Sequence, residues 1–160
     1  MIEYLPVNKL NRQQVNDFIA AHWFSTDMII RGAKIDMTQA DGIVGLEAAR
    51  IIGLLTYAIT DQTFEIISLD SLVEGKGIGT ALLDRAVRIA KENGCHKIIV
   101  VTTNDNINAI RFYQKRGFDM ARLYRNALDF SRKIKPEIPL TGENGIPLKH
   151  EIEFELSLIG

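Results

Sequence analysis

Two groups of residues in this chain have types and spacings suited to chemistry. The first is Glu74-Gly75-Lys76-Gly77-Ile78-Gly79-Thr80, set between a strand-like run, Phe64 to Leu69, and a helix-like run, Ala81 to Val87. Glycines at alternate positions let the backbone turn tightly and come close to a ligand. The helix that follows points its free N–H groups and positive dipole end at the turn, which makes an anion site, most naturally for phosphate. The second group is the capping and turn cluster Asn104-Asp105-Asn106 and the helix-like run that follows it, Asn108 to Arg116 with Phe112-Tyr113, closed by Gly117.

The spacing excludes two common phosphate loops. A Walker loop needs two glycines five apart followed by Lys and Ser/Thr, whereas Lys76 here lies between glycines. A dinucleotide fingerprint needs a glycine or alanine where this chain has Leu82 or Thr80. It also needs an acidic residue about twenty positions on, where Cys95 to Val101 stand. A glycine-rich turn with no ligand is the remaining alternative at this level.

The positioning elements follow from periodicity. Ile2 to Leu5 reads as a strand stopped by Pro6, and Asn8 can cap a helix running to about Ala21. His22 to Asp27 is an aromatic and polar patch, and Met28 to Arg31 fits either a helical turn or an extended segment. Gly42 to Ala48 and Arg50 to Ile59 predict a hairpin, with a third strand from Thr63 to Leu69. Leu82, Leu83, Ala86, Val87 and Ala90 fall at helical spacing after the glycine turn. Lys97 to Thr103 is an apolar strand covered on both faces, Asn108 to Arg116 a helix closed by Gly117, and Met120 to Tyr124 a strand. Asn126 to Lys135 fits an extra helix, Leu128 to His150 a surface excursion, and His150 to Leu156 alternates like a half-exposed strand.

This order predicts one α/β domain over residues 1–160. With 19 basic and 20 acidic side chains the net charge is −1, which speaks against nucleic acid as a partner. The single cysteine, Cys95, excludes an internal disulfide and a cysteine-based metal cluster, and no metal is expected. No membrane-spanning run and no signal-like start are present, so a cytoplasmic protein with no membrane partner is expected. His150 to Leu158 could supply an edge strand, leaving monomer and homodimer open.

The strand, glycine turn, helix, strand, asparagine turn and tyrosine helix together resemble the GNAT N-acetyltransferase family over most of the chain. The family pattern Arg/Gln-x-x-Gly-x-Gly/Ala is met by Gly77 and Gly79, with Glu74 departing at the first position. The second block matches at Asn106, Ala109, Tyr113, Lys115, Gly117 and Phe118. The resemblance implies a mixed, mostly antiparallel sheet flanked by helices, with acetyl-CoA in the split between two central strands. It implies direct acetyl transfer to a primary amine of a small molecule, amino acid or peptide; the alternative is a catalytically idle acyl-CoA sensor on the same fold.

By the same resemblance, pantetheine would lie along Ile67, Ser68 and Leu69, with a Leu69 N–H at the acyl oxygen. Pyrophosphate would rest on the turn from Gly75 to Thr80, chiefly on the N–H groups of Lys76, Gly77, Gly79 and Thr80 beside Ile78. Asn106 would contact CoA, and Tyr113 would protonate the leaving thiolate; a helix cap and a packed aromatic are the plain alternatives. Glu65, Asp70 and His22 are candidates for the base. Glu65 shares strand parity with Leu69, so the two side chains are expected on one sheet face. His22 and Trp23 lie on the segment expected to wall the acceptor site. Glu74 would repel pyrophosphate unless it points away or pairs with a cation such as Lys76.

Overall fold

The structure, a computed structural model, describes every residue except Phe24 and Gly160. The expected aromatic patch therefore includes one residue, Phe24, outside the described set. The elements run β1 (Ile2–Pro6), α1 (Arg12–Trp23), β2 (Asp27–Ile30), β3 (Ala33–Asp36), β4 (Asp41–Glu47), β5 (Arg50–Thr60) and β6 (Thr63–Ser71). They continue as α2 (Ile78–Glu92), β7 (Lys97–Thr103), α3 (Ile107–Lys115), β8 (Asp119–Tyr124), α4 (Ala127–Ile134) and β9 (Glu151–Ser157). Seven strands form one sheet in the order β1-β4-β5-β6-β7-β9-β8, and β2 with β3 forms a separate hairpin. All neighbouring pairs are antiparallel except β6 and β7.

Each face of the sheet carries its own core. On one face Leu82, Leu83 and Ala86 of α2 pack with Leu55, Phe64, Ile66, Ile98 and Phe154. On the other, Val15 and Ile19 of α1 pack with Val44, Leu54, Ile67 and the hairpin residue Ile30. Leu54 and Leu55 thus enter opposite cores, which is why β5 reads as an unbroken apolar run rather than an alternating one.

Differences from the sequence reading have local causes. Asn8 caps a turn rather than the helix itself: its Oδ1 accepts from Leu10 N and Asn11 N, and α1 starts at Arg12. Met28 to Ile30 is extended, within β2. β9 begins one residue after His150, whose Nδ1 accepts from Asn126 N. Residues 128–150 are no loose excursion. Asn104 Oδ1 accepts from Lys149 N and His150 N, its Nδ2 donates to Pro147 O, and Asp105 Oδ2 accepts from Glu143 N. The segment clamps the turn between β7 and α3.

One irregularity shapes the centre. Ser68 stands opposite Thr56 and Ile66 opposite Tyr57, so Ile67 is an extra residue in β6, a β-bulge. On its other side β6 pairs with β7 only from Thr63↔Lys97 to Ile66↔Val100. Beyond that point β7 stays with β9 and the two central strands part. The bulge also breaks the expected parity. Leu69 packs towards the α2 core, whereas Glu65 lies on the opposite face, bonded to Arg31.

Gly53 on β5 shows how tightly α2 is seated. A Cβ there would meet Ile78 Cγ2 at 2.5 Å and Leu82 Cδ1 at 3.1 Å. Gly53→Ala is expected to lower unfolding stability by about 1–3 kcal/mol, measured by urea denaturation. No change would show that α2 yields freely.

Candidate active site

Where β6 and β7 separate, a cleft of about 200 Å³ opens between Ile67–Leu69 and Val100–Thr103. Asn106, Ala109 and Tyr113 of α3 close one end, and Trp23, Met28 to Ile30 and Glu151 line the rest. Leu69, Asn106, Ala109 and Tyr113 are shared with a more open groove that leads past Glu74 and Gly79. Beyond Ile66 the edge of β6 pairs with no strand on the β7 side among the described residues, so its backbone groups there can pair with an extended ligand.

At the far end of the groove lies the glycine turn. Gly75 and Gly77 have φ of +79° and +66°, and a Cβ on either would meet nothing within 4 Å. Backbone conformation, not crowding, selects glycine there, and the space above the turn is open. Gly77 caps α2 without any side-chain bond, leaving the first-turn N–H groups of this helix uncapped. Gly79 is different: a Cβ would come within 3.2 Å of Phe112, so glycine permits the close approach of α2 and α3.

The charges around this turn differ from expectation. Lys76 pairs with Glu47 at 3.4 Å, not with Glu74. Glu74 lines the groove, as does Arg111. Arg116 supplies a further cation: its guanidinium donates to Thr80 Oγ1 at 2.6 and 3.1 Å and stacks 3.7 Å from the Phe112 ring. These features fit a phosphate-bearing ligand: open uncapped N–H groups, with a guanidinium at the same helix start.

Tyr113 stands at the junction of cleft and groove, only 5 % exposed, among Phe112, Phe118 and Phe154. Burial first, and the charge of Asp70 second, push its phenol well above the usual tyrosine range. It therefore keeps its proton throughout the ordinary pH range. Asn106 Oδ1 accepts from Ala109 N at 3.1 Å and so caps α3 while also lining the cleft. Cys95 is buried between α2 and β7, where burial raises its thiol and disfavours the thiolate.

On the face of α1 and the hairpin, four carboxylates meet different fates. Asp70, 9 % exposed, accepts from Trp23 Nε1 at 3.0 Å, and its other oxygen lies 3.2 Å from His22 Nε2. Burial raises its pKa despite those two partners. Phe18 stacks on His22 and completes this corner. Glu65 receives Arg31 on both oxygens at 2.8 and 3.0 Å and does not line the cleft. Glu153 accepts from Tyr124 and lies 3.5 Å from Arg31. Glu151, 3 % exposed, lines the cleft; its Oε1 accepts from Arg31 N at 3.0 Å.

Ile67, Ser68, Leu69, Asn106, Tyr113 and Trp23 are thus brought to one cleft. Glu151, Arg31 and Arg116 carry no sequence signal of their own. Glu151 sits in an alternating strand that reads as half exposed, and only the hairpin laid over that face buries it. Among the described residues, no three or more His, Cys, Asp or Glu side chains are placed to hold a metal ion. No described helix is long and apolar enough to cross a membrane.

A split sheet with a glycine turn at one end of the opening and a buried tyrosine in it defines an acetyltransferase class of fold. The chain belongs to the Acetyltransferase (GNAT) family, whose model matches residues 12–118. It is 44 % identical over 155 residues to the uncharacterized protein YdhI of Bacillus subtilis, covering 96 % of this chain and 97 % of that one. Its fold is similar to an IAA acetyltransferase from Bacillus cereus, with TM-score 0.72, 22 % identity and coverage of 99 % of this chain and 100 % of the other. It is also similar to a GNAT family acetyltransferase from Elizabethkingia anophelis with acetyl-CoA bound (TM-score 0.70, 21 % identity, 98 % of each chain covered).

The burial of Glu151 has a thermodynamic consequence. Desolvation outweighs the help from Arg31, and Glu65 opposes ionisation further, so the folded chain binds this proton more tightly than the unfolded chain. Its contribution to stability therefore falls as pH rises from the ordinary carboxylate range through the raised value, and is flat above it. The facing charged groups are Arg31, Glu65 and Glu153. Glu151→Gln is expected to gain thermal stability relative to wild type more at pH 7 than at pH 4, by paired melting curves. A difference independent of pH would contradict this.

Proposed function

We propose that this protein is an acetyl-CoA-dependent N-acetyltransferase that passes an acetyl group directly to a primary amine. One observation carries the reading: Leu69 on the unpaired edge of β6 and the buried phenol of Tyr113 line one cleft that leads into a groove past the glycine turn. The acetyl-CoA named for the Elizabethkingia structure supports the same co-substrate here.

In this reading the co-substrate supplies an activated acetyl thioester, and the chain holds it by its ends. The N–H groups of Lys76, Gly77, Gly79 and Thr80, flanked by Gly75 and Ile78, receive the pyrophosphate, with Arg116 at Thr80 and Arg111, which lines the groove with Glu74, offsetting part of the repulsion from Glu74. Ile67, Ser68 and Leu69 receive the pantetheine amides along the free strand edge, and the Leu69 N–H stabilises negative charge on the acyl oxygen. Tyr113 gives its proton to the departing sulfur. Its raised pKa suits it to remain protonated until charge develops on that atom. Asn106 holds the start of α3 beside the thioester.

The acceptor enters from the face of α1 and the hairpin. Asp70 fixes His22 and Trp23 as a wall of that entrance. Glu65 holds Arg31, and with it the hairpin turn, rather than moving a proton.

Release of free CoA thiol from acetyl-CoA across a panel of amines, with CoA affinity by calorimetry, tests this reading. Tyr113→Phe is expected to lower kcat about 100-fold, with CoA affinity within about threefold of wild type. Tight CoA binding with no thiol release from any amine would favour an idle acyl-CoA sensor; no CoA binding would sink both.

A further inference from the structure

Glu151 is the one charged side chain lining the cleft among the described residues. The other carboxylates on that face are otherwise placed. Both oxygens of Glu65 hold Arg31, both oxygens of Asp70 face Trp23 and His22, and Glu153 lies outside the lining. Glu151 is nine-tenths and more buried, yet it has a single hydrogen bond among the described residues, from Arg31 N to Oε1. The rest of the lining is uncharged and mostly apolar, with Met28, Ile29 and Ile30 of β2 and Val101 of β7, while Thr102, Thr103 and Asn106 add neutral polar groups.

No Lys, Arg or His side chain lines this space among the described residues. Arg31, next to the lining residue Ile30, turns its guanidinium to Glu65 and Glu153. A carboxylate entering the cleft would thus meet a buried carboxylate, with no cation in the described lining to offset it. An ammonium group would meet its counter-charge.

Resting on the transferase reading above, we propose that Glu151 binds the acceptor's ammonium group and takes its proton, and that the acceptor is a primary amine on an apolar, uncharged body rather than an α-amino acid. The protons balance. The ammonium gives one proton to the Glu151 carboxylate, and the freed lone pair forms the C–N bond to the acyl carbon as the C–S bond breaks. Tyr113 protonates the sulfur and is reprotonated by the second nitrogen proton. The third stays in the amide. Glu151 returns its proton to water. The raised pKa of Glu151 brings it closer to neutrality, as general-base work favours.

Matched pairs test the proposal directly. Wild-type thiol release is measured with 2-phenylethylamine against phenylalanine, and with pentylamine against norleucine, which differ only by the α-carboxylate. Each amine is expected to exceed its amino acid in kcat/KM by about 100-fold or more. Glu151→Gln is expected to lose about 100-fold in kcat/KM for the amines while its calorimetric CoA affinity stays unchanged. Equal turnover of amine and amino acid, or an unchanged Glu151→Gln, would overturn the proposal. Acetylation of lysine peptides alone would also overturn it and leave the transferase reading standing. Absence of CoA binding, or of thiol release with every amine, would remove the reading and this inference with it. Should Glu151→Gln not fold, the wild-type pairs decide the question.

Discussion

The structure depends on the point where β6 stops pairing with β7. Up to Ile66↔Val100 the sheet is continuous, and each backbone group there has a neighbour. Past it, the extra residue Ile67 keeps β6 bonded to β5 while β7 follows β9. Unpaired strand edges inside a protein are costly unless something occupies them. Here the edge borders an open cleft, where its backbone groups can pair with an extended ligand. Both cores brace the parting, with α2 and α3 on one face and α1 and the hairpin on the other.

Polar groups near the cleft are held from outside it. Asn104 and Asp105 tie the start of α3 to the segment that precedes β9, so the asparagine turn is fixed from behind. Arg31 uses its side chain on Glu65 and its backbone N–H on Glu151, joining the hairpin to β6 and β9. Trp23 and His22 lean on Asp70. This division leaves Tyr113 and Glu151 facing the cleft as protonatable groups with few other ties, each with a pKa raised by burial.

Much of the fold was legible because local rules and global packing agree. Alternate glycines, a helical stripe from Leu82 to Ala90 and an apolar β7 each point to one element type, and the structure has them. The placement of Gly75, Gly77, Asn106 and Tyr113 was legible, because each follows from backbone conformation or from its position on a predicted element. It was hidden where a role depends on what lies opposite. Glu65 looked like a candidate base by parity, but a one-residue bulge shifts the faces and Arg31, far along the chain, takes both oxygens. Lys76 turns to Glu47 rather than to its neighbour Glu74.

The sequence by itself determined the glycine turn, the tyrosine helix and their order around a central strand, because these follow from backbone freedom and short-range periodicity. Only the tertiary structure decided which carboxylate faces the cleft. That choice is a competition among Asp70, Glu65, Glu153 and Glu151 for partners distant in sequence, and burial under the β2–β3 hairpin gives Glu151 its place in the lining.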